Sequence, residues 1–556
     1  MSTTVPRMRR LTLTGLASTS LIASALAPAV AGGHVDPGSR AATAPGKPVE
    51  IQILSVSDFH GQLDPLNVFG VGQVGGAAAL SAYFDQEREA NPNTLLFTAG
   101  DAVGATPPLS SFFEDAPTIE WMNRAGFTAD TLGNHNFDAG LERLNDQVAD
   151  ADFDYLSANL DDPQGELEGV APYEVYEVAG VDVAVIGITN PEAPSLVTPG
   201  NFGSITVTDP VAAAEQARDE AEAAGADVFV VLTHMGVVGE DAAGQPVGPL
   251  VDFARAVEGF DVILGDHTDA EFAAEINGAL VVENESRGAT YARTTLTVRP
   301  ASGKVLDAGT EFVVPLVQNV TPDSEVDAWL DEIRGELAVL FDRDVADATE
   351  VLPRGGNIER LQEVAIGNVT TDALRETYGT QVAFTNGGGL RAPLPSSYAP
   401  LDTSLRRPVP GYASGPPFDI VVGDVYAMLP FGNEALTRTV TGAQLWDVLE
   451  HSVSSIPSAN GKFLQISGFR FTYDATLPPG NRVVSVEFQD GTPIPDDAGV
   501  TITAATNNFT NAGGDGYTML ADGQGVTRDL LANVVLGYID GKVLSNTVEG
   551  RIVRLS

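Results

Sequence analysis

The sequence predicts an α/β fold, because apolar, β-branched runs alternate with helical patterns throughout its first half. Continuous apolar runs are typical of parallel strands, whose sheets are covered by helices on both faces. Chain length is a second observation, since 556 residues exceed what one hydrophobic core usually organises, and two domains are expected. The predicted strands are VEIQILSVSD (49–58), NTLLFTAGD (93–101), VDVAVIGITN (181–190), ADVFVVLTHMG (226–236) and FDVILGDH (260–267).

Residues 1–31 have the layout of a secretory signal peptide. Three arginines precede an apolar run over 11–26 and the small-residue ending AVA, so we expect cleavage after Ala31. The Gly/Pro-rich segment 32–48 is predicted to be a flexible linker. A membrane anchor is the alternative, but the run is short and contains Ser and Thr, and no second run could span a bilayer. We expect a secreted or cell-envelope-associated protein without an anchor, and the export route, general or twin-arginine, stays open.

The composition restricts both the sources of stability and the partners. No cysteine is present, so an exported chain must rely on hydrophobic cores and bound ions instead of disulfides. The formal charge is −45, and it becomes −48 without the three arginines of the signal segment. Such a surface repels polyanions, which argues against a nucleic acid polymer as partner, and no protein partner is implied. An anionic substrate would therefore need a locally cationic site.

A predicted helix joins the two halves of the chain. Thr321-Pro322 opens a segment in which apolar residues recur at steps of three and four, as in an amphipathic helix with proline in its first turn. We expect this helix, at 321–345, to lie between a domain at 49–320 and a domain at 346–556. A helix packed wholly within one domain would have the same pattern. Its apolar positions are Val326, Trp329, Ile333, Leu337 and Leu340.

Potential ligand residues follow the predicted strands or lie in tight Gly/Asn turns. Loops at strand ends are where α/β proteins place their chemistry, because the sheet fixes the backbone and the loop exposes the side chains. We therefore expect these side chains to converge on one site. They are four of the six histidines, His60, His135, His234 and His267, together with Asp58, Asp101 and Asn134.

The segments DFH, GD, GNHNFD, THMG and GDHTD resemble the five metal-binding motifs of the calcineurin-like metallophosphoesterases, and specifically of the secreted 5′-nucleotidase family. The resemblance implies that residues 49–320 form a four-layered α/β/β/α sandwich. It also implies two divalent metal ions, about 3.5–4 Å apart, as in other two-metal hydrolases. By motif, the first ion is bound by Asp58 and His60, both ions by Asp101, and the second ion by Asn134, His234 and His267.

The last motif departs from the family pattern. The family commonly has Gly-His-x-His or Gly-His-x-Gln, whereas this chain has Gly265-Asp266-His267-Thr268-Asp269. We expect the carboxylate of Asp269 to replace the usual imidazole or amide as a ligand of the first ion, while Asp266 could be a turn residue. Mixed imidazole and oxygen ligands suit Zn²⁺ or Mn²⁺ better than Ca²⁺ or Mg²⁺.

The resemblance also assigns a catalytic pair. Asn134 is the metal ligand, whereas His135 faces the substrate phosphate, where an imidazolium can stabilise charge or assist the leaving group. Asp138, three residues later, can accept a hydrogen bond from the other ring nitrogen and fix the tautomer. Because the two implied ions would lower the pKa of a bound water, no protein nucleophile is required, in keeping with the absence of cysteine.

Motifs in the second half resemble the nucleotide-binding C-terminal domain of the same family. They are ERLQEVAIGNVTTDAL (359–374), FTNGGGLRAPL (384–394), MLPFGNEAL (428–436), GKFLQISGFRFTYD (461–474) and NNFTNAGGDGYTML (507–520). The resemblance implies that Phe431 and Phe509 sandwich the base and that Asp515 accepts hydrogen bonds from the ribose. By the same resemblance, the polar parts of the nucleotide are held by Arg360, Asn386 and Arg391.

The sequence thus predicts an exported two-metal phosphohydrolase that releases phosphate from nucleoside 5′-monophosphates. The resemblance implies that the C-terminal domain rotates to carry substrate to the metals, with the hinge near 321–345. Relatives with similar motifs hydrolyse UDP-sugars, nucleoside di- and triphosphates or 2′,3′-cyclic nucleotides, and these activities are the alternatives. A nucleotide-binding protein without catalysis is disfavoured by the number of matching ligand positions. A thiosulfate-processing relative is disfavoured by the paired aromatics Phe431 and Phe509.

Overall fold

The structure is a computed structural model that describes residues 47–68, 71–241 and 243–555. The predicted signal peptide at 1–31 and all but the last two residues of the predicted linker at 32–48 lie outside the described residues. Within the described ranges, no helix is both long enough and apolar enough to cross a membrane.

The first half contains strands β1 to β19 and helices α1 to α7, and α8 follows it. The strands are Val49–Val56, Leu66–Val68, Gly72–Val74, Thr94–Thr98, Ala129–Thr131, Asp154–Leu156, Leu160–Asp161, Val170–Ala171, Tyr173–Val178, Val181–Ile188, Thr206–Val207, Val228–Thr233, Gly239–Glu240, Pro246–Val247, Val262–Leu264, Phe272–Ile276, Ala279–Glu283, Tyr291–Arg299 and Lys304–Val313. The helices are Ala77–Ala90, Pro108–Ser111, Ala116–Ala125, Gly140–Asp150, Ala193–Leu196, Pro210–Ala224, Pro249–Ala256 and, for α8, Ser324–Phe341.

Two large sheets organise the first half. In the described residues, one has the strand order β19-β18-β1-β4-β5-β6-β8 and the other has the order β16-β17-β15-β12-β10-β9. The central strands are parallel, with Ile53 opposite Leu95 in the first sheet and Val185 opposite Val230 in the second. The antiparallel pair β18 and β19 extends one side of the first sheet, and the antiparallel strands β9 and β16 form the two edges of the second. The predicted parallel strands are thus present, divided between two sheets.

Apolar side chains from both sheets form the central core. Ile53 and Phe97 of the first sheet are buried with Val183 and Val230 of the second. On the outer faces, α1, α3 and α4 cover the first sheet, and α6 and α7 cover the second. The layers are therefore α/β/β/α, which confirms the predicted fold class.

Helix α8 differs in detail from the predicted joining helix. Its N-cap is Asp323, whose carboxylate accepts hydrogen bonds from two backbone N–H groups, so Pro322 precedes the helix instead of lying in its first turn. Leu340 is 56% exposed, whereas Phe341 is buried because its ring contacts three other aromatic rings. The helix packs against α1 and α2 of the first half and against α10 (Val422–Met428) of the second.

The second half contains strands β20 to β30 and helices α9 to α13. The strands are Asp344–Ala348, Val382–Asn386, Phe418–Val421, Glu434–Thr441, Leu464–Ser467, Phe469–Tyr473, Val483–Phe488, Thr501–Asn507, Val526–Leu530, Val543–Leu544 and Ile552–Arg554. The helices are Ala365–Tyr378, Val422–Met428, Gly442–Ser452, Asn508–Asn511 and Leu531–Ile539. Short 3₁₀ turns lie at His135–Phe137, Val317–Asn319, Gly355–Arg360, Gly387–Gly389, Gly514–Gly516 and Thr518–Leu520.

One sheet of the second half brings distant motifs to the same edge. Its order is β24-β21-β27-β23-β28, and β27 is parallel to β21 and antiparallel to β23. The carboxyl ends of β21 and β27 therefore lie beside the amino end of β23. Asn386 ends β21, Phe509 follows β27, and Phe431 precedes β23. The three motifs thus meet although more than a hundred residues separate the first from the last.

Candidate metal and nucleotide site

The predicted metal ligands lie at the carboxyl ends of parallel strands in both sheets. Asp58 and His60 follow β1, Asp101 follows β4 and Asn134 follows β5 in the first sheet. In the second sheet, His234 follows β12 and His267 follows β15. Because the two sheets face each other, these ends meet, as expected for the ligand edge of an α/β fold.

Two groups of ligand atoms share Asp101. In the described residues, His60, Asp101 and His135 have ligand atoms within 4.8 Å of one another, and so do Asp101, His234 and His267. Asp101 Oδ2 lies 2.9 Å from His234 Nε2, and Asp101 Oδ1 accepts a hydrogen bond of 2.8 Å from the backbone N–H of His135. A carboxylate common to both groups has the position that a bridging ligand requires.

The ligand atoms fit divalent cations, because imidazole nitrogens and carboxylate and amide oxygens converge at this edge. His234 Nδ1 lies 3.1 Å from Ala99 O and His60 Nδ1 lies 2.8 Å from Gly104 O, so these nitrogens carry the protons. In the neutral imidazoles that bind a metal, Nε2 is then the atom that faces the site, as in histidines oriented by a backbone carbonyl. Asn134 Oδ1 is also buried without a hydrogen-bond partner.

The backbone of the site is strained where the ligands lie. Asp58, His60, Asp101 and His267 have φ values of 39°, 46°, 50° and 86°, in the left-handed region that residues other than glycine rarely adopt. Such strain clusters at functional sites, where the surrounding structure maintains it. Gly133 is needed beside them, since a Cβ there would lie 2.1 Å from Asp101 Oδ1.

Burial dominates the electrostatics of the cluster without ions. It lowers the pKa of His267 to about 3 and, with Coulombic repulsion from His135 and Arg391, holds the pKa of His60 well below its usual value. Burial would also lower the pKa of His234, but the Asp101 carboxylate outweighs it and raises the pKa to about 9. Neutral imidazoles at positions 60 and 267 are the form that binds a metal.

Asp269 lies apart from these groups, and Asp266 lies among them. In the described residues, Asp269 is in no group of three ligand atoms, and its exposed side chain lines the cavity described below. Asp266 is fully buried and forms a group with Asp58 and His234. Its Oδ2 accepts a hydrogen bond of 3.0 Å from the N–H of Asp58, and its Oδ1 accepts one of 2.9 Å from the N–H of His267. Asp266 therefore connects two ligand loops, a role that differs from the turn residue considered from the sequence.

Glu283 is a second carboxylate that the sequence analysis missed. It is buried at the end of β17, and its oxygens accept hydrogen bonds from the N–H groups of Val237 and Thr268 and from the Thr268 hydroxyl. It thereby fixes the loop that carries His267 and Asp269. No local signal distinguishes such a residue, because its partners lie on other strands.

Asp266→Ala should weaken metal binding, because it leaves the buried N–H of Asp58 without an acceptor and removes one of the two acceptors of the His267 N–H, which keeps Asp58 Oδ2. We expect a loss of about 1–3 kcal/mol of stability and a lower metal content by mass spectrometry at limiting metal. Asp261→Ala is the matched control, since Asp261 accepts a hydrogen bond from the N–H of Phe229 away from the site. Equal metal contents in the two variants would contradict the role of Asp266.

His135 and Asp138 form a close pair. His135 Nδ1 lies 2.7 Å from Asp138 Oδ2, so the ring donates this proton to the carboxylate and leaves Nε2 for substrate. Burial lowers the pKa of His135, but Asp138 and Asp101 outweigh it and raise the pKa above its ordinary value. Because His135 also belongs to a group of potential ligands, its assignment as catalyst or ligand needs the experiment described in the Discussion.

One cavity of about 500 Å³ is lined by residues of both halves of the chain, whereas Asp58, His60, Asp101 and His234 are buried and are not part of its lining. Its size suits a small organic ligand. From the first half it is lined by Asn134, His135, Asp138, His267 and Asp269. From the second half it is lined by every predicted substrate residue, namely Arg360, Asn386, Arg391, Phe431, Phe509 and Asp515.

Polar contacts organise the part of the cavity that belongs to the second half. Asn386 Nδ2 donates a hydrogen bond of 2.8 Å to Asp515 Oδ2, and Asn507 Nδ2 donates one of 3.1 Å to Asn386 Oδ1. Burial raises the pKa of Asp515 above its ordinary value. His451 Nε2 lies 2.8 Å from the backbone carbonyl of Asp515, which holds this turn in place.

Four arginines cluster at the cavity although the chain is strongly acidic: Arg360 and Arg391 line it, and Arg287 and Arg354 are close enough to Arg391 to repel it. Burial, together with repulsion from Arg354, Arg360 and Arg287, holds the pKa of Arg391 well below its usual value. Arg391 Nη2 lies 3.5 Å from His60 Nε2, and its Nε is buried without a hydrogen-bond partner. Glu359 contacts Arg354 and Arg360 at 3.1 and 3.6 Å, but the cluster still concentrates the cations that an anionic substrate requires. Arg287 and Arg354 thus belong to the same cluster as Arg360 and Arg391, the two arginines predicted from the sequence.

The fold and the site define a calcineurin-like phosphoesterase with a second domain. The family model described as calcineurin-like phosphoesterase matches residues 51–282, and the model described as 5′-nucleotidase, C-terminal domain, matches residues 345–522. The chain belongs to the 5′-nucleotidase family, and it is a phosphoric ester hydrolase.

Similar proteins cover nearly all of the described chain. The structure of a 5′-nucleotidase precursor from Thermus thermophilus is 29% identical, has a TM-score of 0.79, and matches 91% of this chain and 100% of its own. Snake venom 5′-nucleotidase from Naja atra is 27% identical over 91% of this chain and 98% of the relative. Endonuclease YhcR from Bacillus subtilis is 28% identical over 84% of this chain, which spans only 37% of that relative.

Proposed function

We propose that the chain is an exported two-metal 5′-nucleotidase that releases phosphate from nucleoside 5′-monophosphates. The main support is the shared cavity, which is lined by three of the proposed metal ligands, two phenylalanine rings, the Asp515 carboxylate and two arginines. The kinship with proteins named 5′-nucleotidase supports the substrate class, and the secretory layout of residues 1–31 supports export.

The proposed ions would be held by Asp58, His60, Asp101, Asn134, His234 and His267, with Asp269 as an additional ligand of the first ion. Such ions supply a water nucleophile at neutral pH and neutralise charge on the phosphoryl oxygens. Zn²⁺ or Mn²⁺ suits this donor set, since it combines imidazole with carboxylate and amide oxygens.

The protein groups have separate tasks in the proposed reaction. Arg360 and Arg391 bind the phosphate and reduce repulsion from the acidic surface. His135 holds a proton at Nε2 and transfers it to the ester oxygen as the leaving nucleoside departs, while Asp138 keeps the imidazole in the required tautomer. Asp515 accepts hydrogen bonds from the ribose hydroxyls.

The base is held by stacking between Phe431 and Phe509. Stacking accepts any base, because every base has an apolar face, and it contributes about 1–3 kcal/mol per base. The clamp therefore favours nucleotides over simple phosphate esters without selecting a particular base.

A substrate panel tests this function. Metal-dependent phosphate release is measured with AMP, ATP, UDP-glucose, 2′,3′-cyclic AMP and a small aryl phosphate, and AMP is expected to have the highest kcat/KM. If kcat/KM is higher for one of the other nucleotides, that class of nucleotide becomes the proposed substrate. A highest value for the aryl ester would reduce the function to a general phosphomonoesterase.

Phe509→Ala should separate nucleotide recognition from the chemistry. We expect kcat/KM for AMP to fall by an amount equivalent to about 1–3 kcal/mol, because the lost stacking also positions the phosphate. Hydrolysis of a small aryl phosphate should fall much less. Kinetics with both substrates and thermal unfolding decide the outcome: equal losses with a lower Tm would make Phe509 a packing residue.

A further inference from the structure

Phe431 lies directly against His135, across the boundary between the two halves of the chain. The ring centroids are 5.4 Å apart and the ring planes differ by only 16°. This distance and angle are typical of an offset stack, which contributes beyond the burial of apolar area. Phe431 lies in the loop before β23 and His135 in the turn after β5, so the contact exists only when the two halves are together.

The other contacts of His135 leave the plane of its ring under-determined. Asp138 holds one ring nitrogen, and His60 presents its ring edge-on at 5.1 Å with an interplanar angle of 73°. A single hydrogen bond at Nδ1 allows the imidazole to tilt about that bond, which moves Nε2. A flat ring against one face removes this freedom and fixes the direction in which Nε2 points.

We propose that Phe431 is a positioning residue for His135, in addition to its contact with the nucleoside base. The inference rests on the proposed function, in which His135 donates a proton to the leaving group. Arrival of the second half then brings substrate to the ions and also orients the proton donor. Phe431 and Phe509, equivalent in the sequence analysis, therefore have different tasks.

The best probe is ribose 5-phosphate, which has the same leaving oxygen as AMP but no base. Phe431→Ala should lower its kcat by about tenfold, since a misplaced catalytic group commonly costs that much or more. The loss should be smaller for an aryl phosphate, whose leaving group needs little protonation. Phe431→Tyr, which retains the ring, should restore most of the activity. Phe112→Ala, on an exposed ring outside the cavity, controls for the loss of a phenylalanine.

A double-mutant cycle identifies the route of the effect. If Phe431 acts through His135, Phe431→Ala causes no further loss in the His135→Ala background. An equal loss in that background would overturn the proposal and would point to Arg391, whose guanidinium carbon lies 5.8 Å from the Phe431 ring centroid. An unchanged kcat for ribose 5-phosphate in Phe431→Ala would also overturn it.

A failure of the proposed function gives a different result. If His135 is not the proton donor, His135→Ala alone should leave the turnover of ribose 5-phosphate and of AMP unchanged. If His135→Ala impairs both substrates while Phe431→Ala affects only AMP, the proposed function stands and only the positioning role is wrong.

Discussion

Asp101→Asn is expected to lose bound metal and almost all phosphate release, since its carboxylate belongs to both groups of ligand atoms. Removing a residue that only supports a ligand typically costs about 10–100-fold in metal affinity, so a shared ligand should cost more. An asparagine keeps the shape but lacks the charge and the second equivalent oxygen. Metal content by mass spectrometry and turnover of AMP are the measurements.

Asp269→Asn is the matched comparison for this variant. Asp269 lines the same cavity but lies outside the groups of ligand atoms, and at most one ion would depend on it. We expect a smaller loss of metal and activity than in Asp101→Asn. Two ions and full turnover in Asp101→Asn would defeat the two-metal assignment, whereas equal losses in both variants would make Asp269 an essential ligand.

His135→Ala should keep its metal and lose turnover. A positioned general acid typically contributes about 10²–10⁴-fold, so kcat for AMP should fall by this factor while metal content stays that of the parent protein. The effect should be larger for AMP than for an aryl phosphate, because an alkoxide leaving group needs a proton. Loss of one ion would instead show that His135 is a ligand, as its place beside His60 and Asp101 allows.

The sequence was informative where function depends on short segments. The five predicted strands agree with β1, β4, β10, β12 and β15, and five of the predicted ligands follow them within a few residues. The parallel strand β5, whose residues Ala-Asp-Thr are not an apolar run, was not predicted, although Asn134 follows it. The cavity likewise contains every substrate residue predicted by resemblance. Local patterns succeed here because a strand and the loop after it are adjacent in the chain.

Contacts between distant segments were not predictable in this way. Asp58 and Asp266 are 208 residues apart and belong to different sheets, so their contact depends on how the sheets pack. The stack of Phe431 on His135 depends on the closeness of the two halves. Helix α8 shows the same limit, because aromatic neighbours from other helices, not its own periodicity, decide that Phe341 is buried and Leu340 is not.

The left-handed backbone at the ligands limits which residues evolution can place there. In the proposed site, Asp58, His60, Asp101 and His267 would each bind a cation while adopting a positive φ. Aspartate, asparagine and histidine are the types other than glycine that adopt this conformation most readily. Glutamate and cysteine also bind metals, but they would add conformational strain, which costs about 1–3 kcal/mol at such positions. Backbone geometry and coordination chemistry therefore select the same small set of residues. Substitution by glutamate or cysteine is opposed by the backbone even where the ion would accept the new ligand.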